Sequence, residues 1–201
     1  MSSKIKIKEK KYIKHKDLTE SHLLLEFNNV DSSIINSLRR VSCDEVPSYS
    51  FCEQSILIEL NSSRFDNDYM RMRLSQFTIP NIANKISYLD DKFWKNIDYK
   101  DTDRLRHSED SNTFQLIINS ENNTNDVINI TTNDCLLIFN DKKIEAFNKK
   151  YPHLIIKLKP NESFKCRAEA VLGIGLRSNI WSPIRNAYYE EINENNFLLN
   201  I

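Results

Sequence analysis

Glycine is almost missing from this chain: of 201 residues only Gly173 and Gly175 are glycine. A phosphate-cradling loop needs more glycines and a helix behind them. Here Leu-Arg-Ser-Asn-Ile-Trp-Ser-Pro follows, so that chemistry is excluded and a tight turn is expected. Turns elsewhere must rest on Asn, Asp and Ser. Asparagine is abundant and tolerates left-handed backbone better than most residues with a side chain. Cysteine is also sparse. Cys43, Cys52, Cys135 and Cys166 form no C-x-x-C pair, which predicts reduced, buried thiols. No window approaches the run of about 18 apolar residues that spans a membrane. The opening MSSKIKIKEKK has no apolar stretch after its charges, so no secretory signal is expected and the product is expected to be intracellular. The N-x-S/T sequons at Asn61, Asn122, Asn129 and Asn161 are then chance occurrences. An excess of one charge is absent too: Lys+Arg and Asp+Glu both number 28. Neutrality weighs against a free-standing DNA binder.

No catalytic or metal-binding pattern emerges. His15, His22, His107 and His153 are dispersed, none in H-x-x-x-H spacing or beside a cysteine. Asp90-Asp91 and Asp101-x-Asp103 lack the Gly-centred loop of a hard-cation site and read as a solvated loop. No metal and no cofactor are expected.

What is present is one well-marked helix. Asp31, Ser32 and Ser33 each offer an N-cap, and Pro47 closes the segment DSSIINSLRRVSCDEVP. Ile34, Leu38 and Val41 fall at i, i+4 and i+7 on one face, and Ile35 is expected to widen that stripe. Asn36 and Arg40 share another face. Arg39 and Arg40 point about 100° apart, so one guanidinium can meet a partner while the other braces the fold.

Around it the chain reads mostly as strands. Residues 4–8 alternate Lys and Ile, an edge strand guarded by lysines. A second strand runs through SHLLLEFNNV before the helix. Beyond Pro47 come a strand with Ile56, Ile58 and Leu60 alternating, a short helix over 65–74, and a polar excursion over 84–113 with Phe93 and Trp94 as anchors. Strands are expected at 114–118, 127–131 and 135–139. A strand pair, 154–158 with 164–171, is expected about the turn Lys159-Pro160-Asn161-Glu162, and two last strands at 187–192 and 197–201. Trp181, beside Ser-Pro, is read as a core anchor. Strands outnumber helices, and an inserted domain that interrupts a discontinuous outer domain would give this order.

Four stretches carry a family resemblance, in order. NSLRRVSCDEVPSYSF (36–51) resembles the N-x-L-R-R…P segment of the α-like subunits of cellular RNA polymerases: the bacterial α N-terminal domain, its archaeal counterpart and the third-largest subunit of eukaryotic RNA polymerase II. FDNDYMRMRLSQFTIPN is similar to the family's next motif through Asp68, Arg73, Leu74, Ile79 and Pro80, with Gln76 in place of its Gly. LKPNESFKCRAEAVLGIGLRSNIWSPI resembles the stretch ending G-x-G…W-S-P, with Gly173, Gly175, Trp181 and Pro183 in register and Asn161 where Gly is common. SPIRNAYYEEI resembles the strand after it. The drift and the asparagine-rich composition imply a divergent member, of the kind encoded by large cytoplasmic DNA viruses.

The resemblance implies an α+β fold, with an outer domain of 1–50 and 180–201 interrupted by a β-rich insert, 51–179, and it implies a non-catalytic assembly subunit of a DNA-directed RNA polymerase. Its outer domain would pair with a smaller α-like subunit and dock the second-largest catalytic subunit, touching DNA and RNA only through the complex and no membrane. Ile34, Ile35, Asn36, Leu38, Arg39, Arg40 and Val41 would form the partner surface, and an arginine fork suits acidic or carbonyl groups there. Relatives often carry a Cys-rich metal loop in the insert, for which this chain has no residues. They also continue past the last strand into a long helix, so at Ile201 the expectation is that either a separate or fused partner supplies that helix or the chain is shortened. The expected location is the nucleus or, for a viral enzyme, host cytoplasm, virus factory and virion. The rival reading is a stand-alone nucleic-acid-binding module using the basic arm Lys4–Lys16, which would bind in a salt-sensitive way. A further rival is an enzyme whose site is built from Asp/His pairs.

Overall fold

The structure, a computed structural model, describes residues 6–14, 21–79, 82–86, 88, 94, 112–145, 147–184 and 186–201. Phe93, Pro80, His15, His107, the four loop aspartates and both ends of the lysine arm lie outside them. The fold is α+β: among the described residues two complete α-helices stand among antiparallel strands. It divides into two compact units, Met1–Ser48 with Ile174–Ile201, and Tyr49–Gly173.

In the first unit, β1 (Lys6–Lys14) and β2 (Ser21–Asn28) lead into α1 (Ser32–Asp44), and β10 (Tyr188–Asn193) and β11 (Asn196–Asn200) return from the far end of the chain. They form one antiparallel sheet in the order β1-β2-β11-β10, with Phe27 opposite Phe197 and Leu25 opposite Leu199. Alternation places Phe197 and Leu199 on one side of β11, where they meet Phe27, Val30 and Ile35 in a small core. The β1 edge carries Lys6, Lys8, Lys10 and Lys11, all exposed, which suits an edge that must not pair further. Ile7 gains no cover from its alternation and stays 61% exposed.

The second unit has a five-stranded sheet in the order β3-β9-β4-β6-β7 and a separate pair, β5 with β8. These strands are β3 (Pro47–Asn61), β4 (Phe114–Glu121), β5 (Ile128–Thr131), β6 (Cys135–Phe139), β7 (Lys142–Ile144), β8 (Leu154–Leu158) and β9 (Ser163–Ile174), with α2 (Asn67–Ser75) between β3 and β4. Phe51, Phe114, Phe164, Met70, Leu74 and Leu158 are fully buried in its core. Trp94 packs against that core.

One expectation of strand pairing needs correction. The turn at 159–162 forms, with Glu162 N–H donating to the Lys159 carbonyl (3.0 Å), but it joins no hairpin. β8 pairs with β5, and β9 runs between β3 and β4. The chain reverses locally while each strand takes a distant partner. The three-residue β7 was not foreseen, being too short for a periodicity.

Turns do run on asparagine. Among the described residues, those with positive φ are Asn29, Asn140, Asp141, Asn161 and Asn195, none of them glycine. Asn140 and Asp141 (φ 45° and 62°) turn β6 into β7 with both central residues left-handed, the geometry whose twist matches paired strands. Two of the sequons are loop locks. The Asn122 side chain, fully buried, donates to the carbonyls of Asp126 (2.7 Å) and Leu158 (2.9 Å) and accepts from the Thr124 N–H and hydroxyl (3.0 and 2.7 Å). Asn61 repeats the device with Ser63 and Phe65. The hydroxyl at the third sequon position is what the loop needs.

Candidate functional site

Helix α1 starts where the sequence marks it. The Asp31 backbone is extended (φ −73°, ψ 143°), and its carboxylate accepts the Ser33 N–H at 2.8 Å. The Ser33 hydroxyl and N–H hold the Asp31 carboxyl below its ordinary range. This cap satisfies one of the donors that a helix leaves open at its first turn.

The other end is held by chain far away in sequence. The last carbonyls of a helix lack intrahelical partners. Here Leu176 N–H donates to the Asp44 carbonyl (2.7 Å) and the Ser182 hydroxyl to the Cys43 carbonyl (2.9 Å). The Ser48 hydroxyl donates to the carbonyl of Trp181, whose side chain is buried. This approach explains the second glycine. A Cβ at Gly175 would fall inside contact distance of the Cys43 carbonyl oxygen and 3.2 Å from the Asp44 Cα. Gly173 is buried within β9 and Pro183 is exposed. The W-S-P motif thus helps fix α1 in place, and the roles of Ser182 and Leu176 were not legible beforehand. The serine sat in a quoted motif, but nothing local announces which carbonyl it reaches.

With both ends fixed, α1 presents two different apolar sides. Ile35 is fully buried against β2 and β11, and burial of such a side chain stabilises by about 1.5–3 kcal/mol. Ile34, Leu38 and Val41 point the other way and are 44%, 39% and 43% exposed. Ile35 therefore does not widen the outward stripe: one residue is about 100° of helix, enough to turn it from solvent to core.

The arginines differ as well. Arg39 is half-buried, and its Nε and Nη2 both donate to the Asn36 Oδ1 (3.2 and 3.1 Å). Arg40 is exposed and makes no hydrogen bond or ion pair among the described residues. Asn36 therefore bonds Arg39 at i+3 rather than Arg40, with which it was expected to share a face.

The second motif serves its own unit. Asp68 pairs with Arg71 (2.8 Å) in the first turn of α2. Arg73 Nε and Nη2 donate to the carbonyls of Ile155 (2.7 Å) and Leu154 (2.9 Å), pinning the start of β8. Leu74 and Ile79 are core residues. Among the described residues no group of three or more His, Cys, Asp or Glu is placed to hold a metal, and no helix is long and apolar enough to cross a membrane.

The chain thus carries a helix with a capped start, a clamped end, an outward apolar stripe and an exposed arginine that makes no hydrogen bond or ion pair among the described residues. Comparison with known proteins gives that chain a context: the model of the RNA polymerase Rpb3/Rpb11 dimerisation domain matches residues 25–201. The chain belongs to this family. A protein of Acanthamoeba polyphaga mimivirus named as a DNA-directed RNA polymerase subunit, R470, is 29% identical over 90% of this chain and 56% of its own length. The DNA-directed RNA polymerase II subunit rpb3 of Dictyostelium discoideum is 27% identical over 87% of this chain and 55% of its own. The subunit 3 shared by RNA polymerases II, IV and V of Arabidopsis thaliana is 26% identical over 85% and 54%. The chain spans about half the length of the curated relatives it matches. The matched region of the Rpb3/Rpb11 family includes all of α1, β11 and the W-S-P clamp.

Proposed function

We propose that this protein is a non-catalytic assembly subunit of a multisubunit DNA-directed RNA polymerase. It pairs with a smaller α-like subunit through Ile34, Leu38 and Val41, and Arg40 reaches acidic or carbonyl groups of the second-largest subunit. The observation that carries the reading is the outward stripe on a helix whose ends are both fastened, in a chain of a dimerisation-domain family. Three adjoining aliphatic side chains left open on a rigid helix are what a cognate interface supplies before its partner arrives. Asn36 and Arg39 shape that helix from its flank. Contact with DNA and RNA is made by the complex, in the nucleus or, for a viral enzyme, in host cytoplasm, virus factory and virion.

The test is recovery of the polymerase from the protein's source through its catalytic activity, with subunit identification by mass spectrometry. This chain is expected at one copy per enzyme alongside a smaller α-like subunit. Its absence from active enzyme would overturn the reading.

A further inference from the structure

The outward stripe of α1 does not end in solvent-neutral residues. Asp31, Ile34, Leu38, Val41 and Glu45 follow one another at steps of three, four, three and four, the spacing of a continuous helical seam. All five are exposed. Glu45 stays in register because its N–H still donates to the Val41 carbonyl (3.0 Å). Its carboxylate makes no hydrogen bond or ion pair among the described residues. Arg39 and Arg40 lie off this line on either flank, as their angular positions require. The seam is therefore aliphatic in its middle and acidic at both ends.

From this we infer that α1 is built to reject a second copy of itself and to accept a partner helix whose apolar stripe is bracketed by cations. The inference rests on the docking role proposed above and adds the chemistry of the occupant. If two copies of α1 lie antiparallel about Leu38, Asp31 of each faces Glu45 of the other. If they lie parallel, Asp31 faces Asp31 and Glu45 faces Glu45. Both directions set carboxylate against carboxylate at each end of a seam whose centre would otherwise be attractive. Like charges facing across a partly desolvated contact select against the wrong partner. Lysine or arginine at the two ends of a partner stripe turns the same positions into charge-assisted contacts.

Sedimentation of the full chain tests this with two variants. Glu45→Lys places opposite charges at both ends of an antiparallel self-pair. It is expected to raise self-association about tenfold or more over the wild type, a gain erased by adding Leu38→Glu and weakened by high salt. Asp31→Asn/Glu45→Gln keeps an N-cap residue, removes both charges and is expected to fall between them. Recovery of Glu45→Lys with the polymerase should drop. If both variants sediment as the wild type while Leu38→Glu alone abolishes recovery with the polymerase, the charge inference is overturned and the docking role stands. A wild type that self-pairs as tightly as the neutralised variant overturns it as well. If Leu38→Glu is recovered like the wild type, the docking role itself falls and the inference with it.

Discussion

Arg39 spends its guanidinium on Asn36, two N–H groups converging on one amide oxygen at 3.2 and 3.1 Å, while its neighbour Arg40 is exposed and unengaged among the described residues. Adjacent arginines of equal chemistry thus have different surroundings. Arg39→Ala should lower the unfolding free energy by about 1 kcal/mol, since one half-buried, charge-assisted contact is lost. Arg40→Ala should leave thermal unfolding unchanged but cost about 2 kcal/mol or more of association with the polymerase if its partner is desolvated there. Urea titration and quantitative co-purification separate the two. Equal effects of both substitutions on stability would contradict the division.

Gly175 is required by proximity rather than by an unusual φ. Gly175→Ala must push the 175–182 segment off the Cys43 carbonyl, and overpacking against backbone costs about 1–3 kcal/mol. Loss of near-ultraviolet dichroism from Trp181 together with lowered stability is expected. A variant as stable as the wild type would mean the clamp on α1 tolerates a methyl group.

Asn122 satisfies four hydrogen bonds with one fully buried amide. Asn122→Ala should destabilise by about 3 kcal/mol, because the carbonyl of fully buried Leu158 loses a donor and the loop loses its ties to Thr124 and Asp126. Thr124→Val keeps the volume, removes the hydroxyl and should cost about 1 kcal/mol. Equilibrium unfolding of both variants checks the ordering, and an Asn122→Ala chain no weaker than Thr124→Val would refute it.

Burial pushes the thiols of Cys135 and Cys166 up to about 12 from 9.0. Their protonated forms are favoured in the folded chain, so the unfolded chain releases these protons first as pH rises. The contribution to stability is whole below about pH 9 and declines from there through about pH 12. Both thiols should resist alkylation at pH 8 until denaturant is added, as read by peptide mass spectrometry. Labelling of either within minutes in native buffer would contradict this burial.

Local chemistry was the most legible part of the sequence. Asp31 and Pro47 bracket a helix that ends where expected, and scarce glycine correctly moved positive φ to asparagine. Periodicity also found that Ile34, Leu38 and Val41 share a face. It could not tell inside from outside, because Ile35 offers α1 an apolar group on its other side, and only the sheet behind Ile35 decides which of the two is covered. Strand pairing was hidden for a related reason. The turn at Asn161 dictates a reversal, but whether β8 then meets β9 or β5 depends on strands tens of residues away. The sequons carried no visible sign of their loop-locking role, since the acceptors they reach are backbone carbonyls that every residue possesses.

The outward face of α1 is the centre of the account, and substituting its middle residue reaches it most directly. Tagged wild-type and Leu38→Glu chains should be expressed in the protein's source and the recovered polymerase subunits quantified. Leu38 is already 39% exposed, so the variant should fold with unchanged helical dichroism. The account predicts that wild type brings down the two large catalytic subunits and a smaller α-like subunit, and that Leu38→Glu loses them by about tenfold or more. A folded Leu38→Glu chain that recovers them at the wild-type level would contradict it.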